Sequence, residues 1–142
     1  MSAALSPEVR DFLLQGTRTA KLATLTPSGW PHVIPVWFVL YDDEIVFTTG
    51  RDTVKGRYLR RDDRVSLCVD DERPPYAFVH VRGRARVTEE APDLLEWATR
   101  IAARYVPPDE VRAYGERNAV PSELLVRVRP ERVIAEFEVA GW

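Results

Sequence analysis

The chain has 142 residues, 45% of them hydrophobic and 30% charged, which suits one soluble globular domain with room for a core. A formal net charge of −2 and a pI of about 5.7 argue against general nucleic-acid affinity, which asks for a basic domain. The single cysteine, Cys68, excludes an internal disulfide, and no run of about 18 apolar residues is present to span a membrane.

In chain order, Ser6 can cap a short helix with Pro7 in its first turn. Val9, Phe12 and Leu13 give that helix an apolar stripe, and Gly16 ends it. "TAKLATL" alternates Ala20, Leu22 and Thr24 against Lys21, Ala23 and Leu25, and "TPSGWP" reads as a turn. "HVIPVWFVL" is apolar at nearly every position, which predicts one strand covered on both faces. "YDDE" is a turn and "IVFTT" a third strand, followed by a short helix over 52–61. "RVSLCV" is a strand with Val65, Leu67 and Val69 on one face. "YAFVHVRGRARVTEE" sets Ala77, Val79, Val81, Ala85 and Val87 against His80, Arg82, Arg84 and Arg86, the arginines reading as a solvated face. Helices are expected over 92–105 and 108–118. "ELLVRV" and "RVIAEFEV" then close the chain as two strands, split by a turn at Arg129-Pro130. Six or seven strands on turns this tight make a mostly antiparallel sheet, most economically a closed or nearly closed small barrel. Residues 1–142 are expected to form a single domain of mostly β class with helical insertions.

No zinc-type spacing surrounds His32 or His80, and no metal site is expected. There is no nucleophile elbow, Walker loop or GxGxxG, and no side chain is assigned a catalytic role. Cys68 reads as a small buried hydrophobe and "VDDERPP" as a solvated turn. The start "MSAALSPEVRDFLLQG" lacks the pattern of a signal peptide, so a cytoplasmic location is expected.

Two segments invite a ligand. "TTGRDTVKGRYLRR" puts Lys55, one of only two lysines, and Arg57 in the first turn of a helix, where acids are ordinarily preferred. In one reading Asp52 or Thr53 caps the helix and the other free N–H groups attract an anion. Lys55 and Arg57 then add charge, Thr48 and Thr49 offer hydroxyls, and Gly50 and Gly56 permit a sharp turn and a close approach. In the other reading the helix is a solvated basic surface whose Arg60, Arg61 and Arg64 pair with Asp62 and Asp63. The second segment is "HVIPVWFVL". Mid-strand Pro35 marks an edge, a bulge or a place where a ligand meets the backbone, and Trp37 follows on the same face.

Four features in order carry a family resemblance: "ATL…G.PHV.PVWF", "FTTGRDTVKGR.LRRD", "RV.LCVDDE.PPY.FV" and "NAVP.ELLVRV.P". Over residues 19–139 the chain resembles the flavin-binding split β-barrel proteins related to pyridoxamine 5′-phosphate oxidase, and within them the branch that uses the deazaflavin coenzyme F420. The resemblance implies a homodimer of six-stranded antiparallel split barrels with cofactor sites at the dimer interface. It implies a lysine on the cofactor phosphate, here Lys55, approached past Thr48, Thr49, Gly50 and Arg51 and supplemented by Arg57. It places His32, Val33, Ile34, Pro35, Val36 and Trp37 beside the ring system, and brings partner residues from the turn at Tyr76 and from "NAVP". The activity implied is hydride transfer from reduced F420 to a small conjugated organic substrate. The alternatives are an FMN-dependent oxidoreductase and a non-catalytic cofactor- or haem-binding protein. The longer C-terminal segment of true pyridoxamine-phosphate oxidases is not expected, since the sequence ends at Trp142 where the barrel should close. Neither nucleic acid nor membrane is expected as a partner.

Overall fold

Ser6 opens α1 (Pro7–Leu14): its hydroxyl accepts from the Val9 N–H at 3.2 Å, and Pro7 sits in the first turn where no donor is needed. Val9, Phe12 and Leu13 are its buried stripe, and the chain leaves through Gly16 at a φ of 57°. The computed structural model describes residues 3–141. The elements after α1 are β1 (Ala20–Leu25), β2 (Pro31–Val36), β3 (Val39–Tyr41), β4 (Glu44–Gly50), α2 (Val54–Arg61), β5 (Arg64–Asp71) and β6 (Ala77–Thr88). Then come α3 (Leu94–Tyr105), a 3-10 turn (Pro108–Glu110), α4 (Val111–Asn118) and β7 (Glu123–Glu136).

The strands form one antiparallel sheet in the order β2-β1-β5-β6-β7-β4-β3. β2 and β3 are thus its opposite edges, yet only Trp37 and Phe38 separate them in the chain. That link spans at most about 11 Å, so the sheet must roll until its edges approach. No ladder joins the two edges, and the barrel is split along this seam. α3 seals the seam. The Phe38 N–H donates to Tyr105 Oη at 3.1 Å, and Arg104 Nη1 donates to the Phe38 carbonyl at 2.8 Å. The same guanidinium donates to the carbonyls of Leu13 at 2.6 Å and Gly16 at 3.0 Å, tying α1 to the seam.

Alternation fills the inside. Leu22, Phe38, Ile45, Phe47, Leu67, Val79, Val81, Leu124, Val126 and Val128 pack with Val9, Phe12 and Leu13 of α1. Each large side chain so buried contributes about 1.5–3 kcal/mol. Val46 and Leu125 point the other way and pack under Ala91, Leu94 and Trp97. β4 and β7 are therefore the strands covered on both faces, by the core inside and by α3 outside.

The structure departs from the sequence expectations in three places. The expected single strand "HVIPVWFVL" divides at Trp37-Phe38 into β2 and β3, because the seam interrupts its pairing. β2 is covered on one face only: Pro31, Val33 and Pro35 are exposed, and Val33 retains 57% of its accessible surface. The expected turn at Arg129-Pro130 is not a turn, for β7 runs straight through it. Pro130 has no N–H to give and sits where the β6–β7 register shifts, opposite Gly83. A Cβ on Gly83 would overlap the Arg129 carbonyl, so glycine makes the bulge possible. One division and one merger leave seven strands, where the resemblance implies six. The β6 alternation holds, with Val79, Val81 and Ala85 buried and Arg82, Arg84 and Arg86 exposed.

Candidate functional site

Cross-strand pairs share a face, so along the outward row Val46 of β4 meets Arg127 of β7, Thr48 meets Leu125, and Gly50 meets Glu123. α3 covers the start of this row and leaves its end open. There a cleft of about 290 Å³ is lined by Pro35, Val36, Trp37, Thr48, Thr49, Gly50, Lys55, Ile101, Asn118 and Glu123.

One end of the cleft is the start of α2. Thr53 is the N-cap, accepting from the Gly56 N–H at 3.1 Å while its own hydroxyl donates to the Gly50 carbonyl at 2.7 Å. The N–H groups of Val54 and Lys55 have no acceptor among the described residues. Arg51 N–H donates to the Ser122 carbonyl at 2.8 Å, fixing the α2 entry against the strand that brings in Glu123. A Cβ on Gly56 would overlap the Gly50 carbonyl, so this glycine lets α2 dock on the end of its own β4 rather than admitting a ligand or a second chain. Gly50 does not adopt a left-handed conformation either. Its missing side chain leaves open the space between Thr53 Cγ2, 3.1 Å from such a Cβ, and Glu123 Oε1, 3.8 Å from it.

Of the expected surface pairings only Arg64 with Asp62 forms; Arg60 and Asp63 take other partners. Towards the C-terminal end of α2 the pairs are Arg60 with Glu89 at 3.4 Å, Arg64 with Asp62 at 2.6 Å, and Asp63 with Arg84 at 2.9 Å. Hydrogen bonds from Arg64 hold the Asp62 carboxyl down to about 2. Lys55, Arg57 and Arg61 make no salt bridge among the described residues. A wider cleft of about 540 Å³ lies along that end, between α2 and β6; its Arg60, Asp62, Asp63 and Glu89 are paired, and its Arg61 is not.

The other end of the site is aromatic. Trp37 stacks on Tyr105 with centroids 5.0 Å apart and planes 6° apart, and Tyr114 tilts against it at 6.2 Å. The Tyr105 hydroxyl donates to the Arg18 carbonyl at 2.7 Å, and burial raises its pKa. It is an anchor for the seam, with no ionisable role near neutral pH.

The cleft brings together Pro35, Val36, Trp37, Thr48, Thr49, Gly50 and Lys55 of the residues the sequence singled out. His32, Val33, Ile34, Arg51 and Arg57 do not line it. His32 packs edge-on against Tyr58 of α2 at 6.2 Å, with its Nδ1 buried and unpartnered. Val33 faces solvent, and Arg57 is exposed on α2. The sequence reading missed Glu123 and Ile101. Asn118 opens the "NAVP" stretch, whose residues were expected to serve the partner's site, and Glu123 follows that stretch; in this fold both line the protomer's own cleft. Glu123 is half-buried. Burial pushes its carboxyl above the usual range, against a hydrogen bond from Thr48 and the charge of Lys55. Burial likewise raises the pKa of the half-buried Cys68 thiol, which pairs across the sheet with Lys21 and His80. Among the described residues, no group of three or more His, Cys, Asp or Glu side chains is arranged to hold a metal ion. Among the described residues no helix is long and apolar enough to cross a membrane.

A rolled antiparallel sheet split at one seam is the split β-barrel fold, which commonly binds flavin. The chain belongs to the pyridoxamine 5′-phosphate oxidase family, which it matches over residues 5–137. Among solved structures it is similar to the conserved hypothetical protein Rv2991 from Mycobacterium tuberculosis, with 28% identity and a TM-score of 0.80 over 94% of this chain and 85% of that one. It is similar in fold to an F420 reductase, with 24% identity and a TM-score of 0.72 over 91% of this chain and 98% of that one. It is also similar in fold to HutZ, a heme storage protein from Vibrio cholerae, with 18% identity and a TM-score of 0.73 over 97% and 99% of the two chains. No curated protein matches the chain.

Proposed function

We propose that the chain is an oxidoreductase that uses coenzyme F420 and acts on a small conjugated organic substrate. The observation that carries this reading is the cleft itself. An unpaired lysine, two free helix N–H groups and the Thr48 hydroxyl meet at one end, and a tryptophan stacked on Tyr105 stands at the other. Lys55 and the Val54 and Lys55 N–H groups would hold the cofactor phosphate. Pro35, Val36 and Trp37 would lie along the ring system, with the Pro35 position offering no donor of its own. Unpaired Arg57, just outside the cleft, suits the carboxylates of a tail beyond the phosphate. The bound deazaflavin supplies hydride, and the protein supplies position and charge. Titration of the purified protein with F420, read by fluorescence, tests this; the reading expects micromolar or tighter binding, and absence of binding contradicts it.

FMN is the second reading, since the fold commonly binds flavin. Yellow protein purified from a host that lacks F420 would support FMN. A cofactor-binding protein without catalysis would bind F420 yet turn over no quinone or enone.

The same proposal includes a homodimer. The free edge strand β2 carries an exposed apolar row. Trp30 retains 73% of its surface, with Pro31, Val33 and Pro35 following. Sedimentation equilibrium should give twice the chain mass; a monomer that binds the cofactor fully would contradict it.

A further inference from the structure

Lys55 and Glu123 are the two charged side chains of the cleft, and they have opposite sign. Glu123 is held there by the fold. Its backbone is in register with Gly50, its carboxylate accepts from Thr48, and its Oε1 lies over the bare Gly50 Cα, where a Cβ would be 3.8 Å away. It forms no direct salt bridge with Lys55, so neither charge is locked to the other. A carboxylate beside an anion cradle opposes any anion, and it opposes two charges more than one. The groups facing it are Lys55 from α2, Thr48 and Gly50 from β4 and Asn118 from α4, so only Lys55 offsets it.

The two candidate cofactors differ at this atom. FMN ends in a phosphate monoester, which carries close to two negative charges above pH 7. In F420 the phosphate continues into a lactyl-glutamate tail and is therefore a diester with one charge at any ordinary pH. We propose that Glu123 is a specificity-determining residue whose carboxylate admits a phosphate diester and disfavours a phosphate monoester, selecting F420 over FMN. This rests on the reading of the cleft as the phosphate site. With Lys55 at one charge and Glu123 at minus one, a diester leaves the cleft with a net single negative charge. A monoester leaves it with two, close together in a partly dry site where like charges are costly.

The test is a fluorescence titration of wild type and Glu123→Gln with F420 and with FMN at about pH 8, where the monoester is fully ionised. The proposal expects wild type to prefer F420, and Glu123→Gln to bind FMN about tenfold more tightly while F420 gains distinctly less. If wild type binds F420 and the substitution leaves the ratio of the two affinities unchanged, Glu123 does not set specificity, although the phosphate site stands. If wild type binds FMN as tightly as F420, the proposal is overturned. If wild type binds neither, the reading of the cleft fails and the proposal with it. Circular dichroism checks folding. Should the glutamine variant not fold, Glu123→Asp withdraws the carboxylate by one methylene and should narrow the ratio in the same direction by a smaller factor; an unchanged ratio there also overturns the proposal.

Discussion

The indole of Trp37 lies parallel to the phenol of Tyr105, their centroids 5.0 Å apart and their planes 6° apart. One ring belongs to the seam between the sheet edges, the other to the last turn of α3. The stack joins the site to the device that closes the barrel. The indole is thereby held at the mouth of the cleft with part of its surface still open.

Tyr105 and Trp37 should therefore separate on mutation. Tyr105→Phe removes the acceptor of the buried Phe38 N–H and should cost about 1–3 kcal/mol of stability, measured as a urea midpoint shift at unchanged slope. Trp37→Ala should weaken F420 binding with a smaller loss of stability, since the indole is partly exposed. Equal stability losses in the two variants would mean that the tryptophan only fills the seam.

Gly56→Ala tests the docking of α2. The added methyl would overlap the Gly50 carbonyl, which is backbone and cannot swing aside. A loss of about 1–3 kcal/mol is expected, together with weakened cofactor binding, because the helix start carries the free N–H groups. Gly16→Ala makes a useful contrast: nothing lies within 4 Å of its Cβ, and only the φ of 57° resists it. It should leave cofactor affinity intact.

Much of this fold was legible as alternation. Ala20, Leu22 and Thr24, and later Val79, Val81 and Ala85, announced their inward faces directly. The misread segments are those where tertiary position overrides local pattern. "HVIPVWFVL" has no turn signal at Trp37-Phe38, because the break there comes from the closing of the sheet. Pro130 looks like a turn residue, and only the opposing Gly83 converts it into a bulge. Lys55 stood out because its charge contradicts helix preference. Glu123 did not, since its place beside Lys55 comes from a register with Gly50, far away in the chain.

Acid should act on the structure in two opposite senses. Asp62 and Asp71 are held down to about 2 by hydrogen bonds from Arg64 and Arg73. Their folded pKa lies below the unfolded value of about 3.9. The stability they contribute is thus present above pH 4 and lost as pH falls towards about 2. Glu123 is shifted upward by burial, so its contribution is greatest when protonated and is lost as pH rises through its folded pKa. Urea midpoints between about pH 2 and 7 should show Asp62→Asn less stable than wild type at neutral pH and equal to it at the acid end. Glu123→Gln should gain on wild type as pH rises.

The central claim is that the unpaired ammonium of Lys55 holds the cofactor phosphate. Its most direct measurement is the F420 affinity of Lys55→Ala beside wild type, by fluorescence titration at fixed ionic strength. A charge-assisted contact of about 1.5–3 kcal/mol predicts a roughly ten- to hundredfold weaker Kd in a variant that is still folded. An unchanged Kd would contradict the assignment of the cleft.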